Sequence, residues 1–149
     1  YHKFLDPDGY PAVAPPWGTL NAINLNTGEY AWKVPLGEYP ELAAQGIKNT
    51  GTENYGGPVV TAGGLVFTGE GNGKFAAYNS SNGKELWSFQ AGAGVNAPPS
   101  SYTVGGKQYI VVQGGQGPGQ QGFGGGDPVN PNRPPPPFPK LMVYTIDGK

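Results

Sequence analysis

The chain has 149 residues, a formal net charge of −1, 36% hydrophobic and 13% charged residues, and no cysteine. That balance gives no electrostatic reason to expect nucleic acid or an anionic membrane surface as partner. The lack of cysteine excludes a disulfide framework, a thiolate nucleophile and a cysteine metal site. No stretch approaches ~20 consecutive apolar residues, so no segment reads as a bilayer-spanning helix. Gly and Pro, 27 and 17 residues, make up almost a third of the chain, much of it after Gly114. The rest carries enough Tyr, Trp, Val and Leu for sheet. The first residue is Tyr1, with no initiator Met and no visible signal peptide, which suggests a processed or excised chain.

Residues 1–18 (YHKFLDPDGYPAVAPPWG) read as an extended, turn-rich lead-in, because proline removes backbone donors and biases its predecessor away from helix. TLNAINL then alternates apolar and polar positions, a turn falls at Asn26-Thr27-Gly28, and Glu29–Leu36 resumes the extended pattern. Two β-rich runs around a glycine-containing tight turn predict a hairpin. Glu41–Ile47 (ELAAQGI) is the one helical candidate, and its shortness predicts no more than a turn or one helical turn. Pro58–Thr61, Leu65–Thr68, Lys74–Asn79 and Lys84–Gln90 read as four consecutive antiparallel strands, with glycine-containing turns between them. Ser100–Val104 and Lys107–Gln113 flank Gly105-Gly106, and Lys140–Ile146 is the last apolar run.

A motif recurs within this series. AINLNTGEYAW ends at Trp32 and AYNSSNGKELW ends at Trp87, 55 positions later, with Ala, Asn, Gly and Trp in register. Repeats with a period near this length point to propeller blades or arrays. With blade strands lettered A to D from the axis outwards, the motif is the C–turn–D hairpin. The chain then divides into a lead-in (1–18), a partial blade with C and D (19–36), a full blade (57–91) and a partial blade with A, B and C (98–146) that holds a Gly/Pro-rich insert (114–139). The fold class is therefore all-β, one whole four-stranded antiparallel blade between two partial ones. Gly28 and Gly83 suit positive φ in the turn. Thr27 and Asn82 suit local bonds to backbone there. Ala22 and Ala77 are small where sheets approach closely, and Trp32 and Trp87 offer flat surfaces for packing between blades. A structural role for these tryptophans is favoured over cofactor stacking.

The pattern A-x-N/D-x-x-T/N-G-x-x-x-W resembles the tryptophan-docking motif of quinoprotein dehydrogenases, eight-bladed propellers that bind pyrroloquinoline quinone (PQQ). PPWGTLNAINLNTGEYAWKVPLG, GTENYGGPVVTAGGLVFTG, FAAYNSSNGKELW and YTVGGKQYIVVQGG are similar to the C-terminal end of the glucose/alcohol dehydrogenase branch, nearest the membrane-type glucose dehydrogenases. The resemblance covers nearly all of the chain outside the Gly/Pro insert. It implies a parent enzyme that oxidises a sugar or alcohol C–OH by hydride transfer to the quinone. Ca²⁺ would polarise the quinone, and ubiquinone or a cytochrome would take the electrons. It also implies a periplasmic location, with a membrane anchor in an N-terminal region outside this chain. No segment here matches the family's general-base Asp, its Ca²⁺ ligands or the basic residue over the quinone. No catalytic residue and no metal ligand is assigned, and this chain alone is expected to bind no cofactor and to be inactive. Its partners would be the remaining blades, or other copies through exposed edges. The alternative is a non-catalytic propeller that binds proteins. The long loops favour the enzyme.

Two of those loops belong to the face where the resembling enzymes hold their quinone. Gly37–Gly56 ends in GTENYGGP, which sets Glu53, Asn54 and Tyr55 just before an inner strand. Gly56 and Gly57 permit close backbone approach to a ligand. Asn54, Tyr55 and Gly56 are thus the first cofactor-binding candidates, against plain turn chemistry ahead of a strand. Gly115 and Gln116, opening the 114–139 loop, are the second set. Where the resembling enzymes often carry a His or Trp in that loop, this chain has Gln116 and Phe123, a departure that bears on sugar specificity. The PPPP run favours a stiff polyproline II insertion. The G-x-G-x-G at Gly69–Gly73 lacks the following helix that a dinucleotide site requires. His2 has no ligand partners near it in sequence.

Overall fold

The computed structural model describes residues 3–92, 94–115 and 140–145. In chain order the elements are β1 (Thr19–Ile23), β2 (Tyr30–Pro35), α1 (Pro40–Ala44), β3 (Val59–Val60), β4 (Leu65–Gly69), β5 (Lys74–Asn79), β6 (Glu85–Gln90), β7 (Ser100–Val104), β8 (Lys107–Gly114) and β9 (Lys140–Thr145). They form three antiparallel sheets: β1-β2, β3-β4-β5-β6 and β7-β8-β9. The order within each sheet follows the chain; short turns join every sequential pair except β8 and β9, which residues 115–139 separate.

The sheets stack face to face, and the middle one is covered on both sides. Alternation along β5 sends Phe75 and Ala77 to one side and Ala76 and Tyr78 to the other. Phe67, Phe75 and Ala77 meet Val95, Ile110 and Val112 in the core toward the third sheet. Val66, Ala76 and Tyr78 meet Leu20 and Leu36, with Trp32 and Val34 against them, in the core toward the first. Burial on two faces explains why FAAY reads as an unbroken apolar run. Exposed apolar side chains lie at the edges: Leu86 and Trp87 on β6, the edge strand of the middle sheet, and Leu141 and Val143 on β9 of the third sheet.

The two motif hairpins share their geometry. Ala22 pairs with Trp32 and Ala77 with Trp87, and each ladder shifts register one residue later. Asn24 Oδ1 accepts the Asn26 N–H at 3.0 Å, and Asn79 Oδ1 accepts the Ser81 N–H at 2.8 Å. Gly28 and Gly83 close the turns with φ of 76° and 70°. Each turn is thus an asparagine side chain bonded two residues on, followed by a glycine in the left-handed region.

Differences from the sequence reading lie at element ends. β3 is two residues, shorter than Pro58–Thr61, because Pro58 has no N–H to give the ladder. The short helix begins at Pro40, earlier than Glu41, since proline's fixed φ suits the first helical position. The insert residues 116–139, including Gln116 and Phe123, lie outside the described residues.

Candidate cofactor-face cleft

The loop from β2 to β3, the β4–β5 turn and the residues before β1 all emerge at one end of the stacked sheets. Between them lies a cleft of about 350 Å³, lined by Trp17, Leu20, Glu53, Asn54, Tyr55 and Thr68 among others. That volume is at the lower end for small-molecule sites.

Backbone bonds tie its walls together. The Trp17 N–H donates to Thr50 O at 2.6 Å, Leu36 N–H to Gly18 O at 3.0 Å, and Thr52 N–H to Leu36 O at 2.8 Å. Trp17 spends its indole N–H on Val13 O at 2.7 Å. It stacks on Tyr10 at 5.9 Å and meets Tyr39 edge-on at 5.5 Å. Burial first, then the Glu53 charge, raises the Tyr39 hydroxyl above the ordinary tyrosine pKa. Glu53 itself pairs with Lys3 at 3.1 Å.

Asn54 lines the cleft with its polar atoms engaged. Its Nδ2 donates to Thr52 O at 2.9 Å and Leu36 O at 3.2 Å. Its Oδ1 accepts the Thr52 hydroxyl at 3.2 Å and the Gly71 N–H at 3.1 Å. One side chain therefore joins the end of β2, the long loop and the β4–β5 turn. Tyr55 is half-exposed on the lining. Gly56 lies where a Cβ would come within 2.9 Å of Asn96 O, so the absent side chain lets the loop before β7 pass close by. The structure thus gathers Asn54, Tyr55 and Gly56 in one cleft. Gly115 is elsewhere: it donates its N–H to Gly94 O at 3.2 Å beyond the end of β8 and is not part of the lining.

Two further residues matter that the sequence reading passed over. Trp17 was placed only in the lead-in, yet its position directly before strand C puts it on the same face as the long loops. Glu70 is fully buried under the β4–β5 turn. Its Oε1 accepts the Tyr78 hydroxyl at 3.0 Å and its Oε2 accepts Asn72 Nδ2 at 3.0 Å. Lys74 Nζ stands 3.6 Å from Oε1 and 2.6 Å from Glu85 Oε2. Burial works to lower the Lys74 pKa, but the Glu85 hydrogen bond and the Glu70 charge outweigh it and raise it. Burial, then Glu70, pushes the Tyr78 hydroxyl well above its ordinary value.

The motif tryptophan of the first hairpin reaches the turn of the second. Trp32 Nε1 donates to Ser80 O at 2.9 Å, and the Trp32 ring lies over Gly83, where a Cβ would fall 2.7 Å from Cε3. Trp87 leans edge-on against Phe75 at 6.2 Å and Tyr144 at 5.3 Å.

Stacked antiparallel sheets with the cleft at one end of their strands define the chain as part of a β-propeller. Residues 1–110 match the PQQ family described as glucose/ethanol/alcohol dehydrogenase, β-propeller domain, and the chain belongs to that family. Among its relatives, the quinate/shikimate dehydrogenase (quinone) of Acinetobacter baylyi is 41% identical over 122 residues, 76% of this chain and 15% of that protein. The quinoprotein glucose dehydrogenase of Escherichia coli is 38% identical over 121 residues, with the same shares. The quinohemoprotein alcohol dehydrogenase of Comamonas testosteroni superposes with a TM-score of 0.63 at 25% identity, over 96% of this chain and 18% of that one. The chain thus spans under a fifth of the length of the relatives it matches.

The aromatic lining of the cleft is compatible with one face of a planar cofactor such as PQQ. Flat Trp17, half-exposed Tyr55 and the Thr68 side chain suit a planar, oxygen-rich ring system, and the Glu53 carboxylate is offset by Lys3. Among the described residues no group of three or more His, Cys, Asp or Glu could hold a metal ion, so no Ca²⁺ ligand is assigned.

Proposed function

We propose that this chain forms part of the cofactor face of a PQQ-dependent dehydrogenase that oxidises a sugar or alcohol. The observation that carries it is the cleft itself, built by the loop that was expected from sequence to border the quinone. In this reading Tyr55 offers its ring to the bound cofactor or substrate. Gly56 lets the neighbouring loop close in behind, and Asn54 holds the wall in place. Gly115 and Gln116 open the second loop that the resemblance assigns to the cofactor face. When bound, PQQ supplies acceptance of the hydride from the C–OH carbon. This chain's residues orient the ring and keep water from one side of it.

The general base and Ca²⁺ ligands belong to other blades of an eight-bladed parent, so the 149-residue chain turns over no substrate by itself. The parent works in the periplasm and passes electrons to ubiquinone or a cytochrome. Trp32 and Trp87 act as docking residues between successive blades.

The test is a PQQ titration of the full-length polypeptide carrying this segment, with Ca²⁺ present, followed by cofactor absorbance. Binding is expected, and Tyr55→Ala should weaken it. No binding by the full-length protein would overturn the reading. Glucose oxidation by the isolated chain would overturn the division of labour between blades.

A further inference from the structure

We infer that Glu70 is a positioning residue for this cleft, acting through the Gly71 amide and Asn54. The inference rests on the reading of the cleft as the cofactor face.

A buried carboxylate is costly unless its lone pairs are met. Those of Glu70 are met. Tyr78, Asn72 and Lys74 surround its two oxygens. Its backbone takes part as well: its N–H donates to Lys74 O at 2.8 Å, and its carbonyl accepts from Gly73 at 3.0 Å and Val95 at 3.1 Å. Among the described residues no buried side-chain nitrogen or oxygen lacks a partner.

The carboxylate thus sits at the β4–β5 turn, and the segment leading to β7 is held by the Glu70 backbone carbonyl through the Val95 N–H. The residue after it, Gly71, presents its N–H to Asn54 Oδ1 at 3.1 Å. Asn54 then fixes Thr52 and Leu36 on the other side. A chain of three residues therefore runs from a charge outside the cleft to the loop that walls it. Asn72 adds a weaker link, with Nδ2 at 3.5 Å from Glu38 O in the same long loop. Glu70 does not line the cleft, so its influence there is on where the wall stands.

The experiment compares wild type, Glu70→Gln, Asn54→Ala and the double variant in the full-length polypeptide. PQQ binding with Ca²⁺ and hydrogen exchange of the Gly71 amide are the two readouts. Glu70→Gln keeps the shape and removes the charge, so Gly71 exchange should speed up and PQQ affinity should fall roughly tenfold, within the range by which residues that do not touch a ligand modulate its site. Asn54→Ala should weaken binding too, and the double variant should bind no worse than Asn54→Ala alone, because both act on one path. Losses that add, or unchanged Gly71 exchange in Glu70→Gln, would overturn the inference. If Glu70→Gln does not fold, Tyr78→Phe, which removes one bond to the same carboxylate, decides the same question. If wild type binds no PQQ, the cofactor reading fails, and the Gly71 exchange still decides whether Glu70 holds the turn.

Discussion

Gly83→Ala tests whether the first motif tryptophan really rests on the second motif turn. Two costs combine at this position. An alanine at φ of 70° is strained by about 1–2 kcal/mol. Its methyl would also fall 2.7 and 2.8 Å from Trp32 Cε3 and Cζ3 and 3.1 Å from Val34 Cγ1. The ring has little room to retreat, because Nε1 is held by Ser80 O at 2.9 Å. Overpacking of this kind costs about 1–3 kcal/mol. The sum for Gly83→Ala is roughly 2–5 kcal/mol. Gly28→Ala supplies the control, since Gly28 has a φ of 76° and nothing within 4 Å of the added methyl. It should cost only the backbone share, about 1–2 kcal/mol. Urea unfolding of the 149-residue chain, followed by tryptophan fluorescence, measures both. Equal losses for the two variants would refute the contact between Trp32 and Gly83.

Trp32→Phe keeps an aromatic ring and deletes the Ser80 bond, so the urea midpoint should drop by an amount equivalent to about 1–2 kcal/mol; an unchanged midpoint would mean that the bond contributes nothing. The Tyr78 and Lys74 pKa values are raised on folding, so their contribution is whole below the unfolded values near pH ~10 and is lost as pH rises beyond them. Stability should accordingly decline above about pH 10, and Tyr78→Phe should flatten that decline; an identical slope in the variant would exclude Tyr78 as its source. Exposed apolar side chains, with Trp87 on β6 at 42% and Leu141 on β9 at 72% exposure, and the β9 edge, paired among the described residues with β8, should drive concentration-dependent association of the isolated chain by light scattering. A monomer with cooperative unfolding at all concentrations would contradict that.

What the sequence made legible is what is local. β5 and β7 end at the residues expected from alternation and turn chemistry, and the order of strands in the first two sheets follows from short glycine-containing connections. The cleft was legible in part, because Asn54, Tyr55 and Gly56 precede an inner strand and the register alone assigns that loop to one face. The same register places Trp17 on that face, although its proline-rich surroundings carry no periodic signal of their own. Glu70 was not readable. A single acid after a strand is ordinarily exposed, and its burial depends on Tyr78 and Asn72 arriving from the next strand and turn.

The asparagines show where that boundary falls. Asn24 and Asn79 accept from backbone two residues ahead, so a repeated Asn with Gly four positions later encodes its own bond partner. Asn54 also reaches a residue two positions away, with Nδ2 on Thr52 O and Oδ1 accepting the Thr52 hydroxyl. Its two remaining bonds, however, go to Leu36 and Gly71, 18 and 17 residues distant. No spacing rule announces such a link, because it depends on two strands and a turn being folded first. That dependence changes what the residue contributes to the cleft. An asparagine with its donors and acceptor spent on three backbone segments is poorly placed to grip a ligand and well placed to hold Tyr55 where a ligand meets it. If so, Asn54→Ala should disturb binding through the position of Tyr55, and a variant already lacking the Tyr55 ring should lose little more on removal of Asn54. Full additivity of Asn54→Ala and Tyr55→Ala in the PQQ titration would instead place Asn54 in direct contact with the ligand.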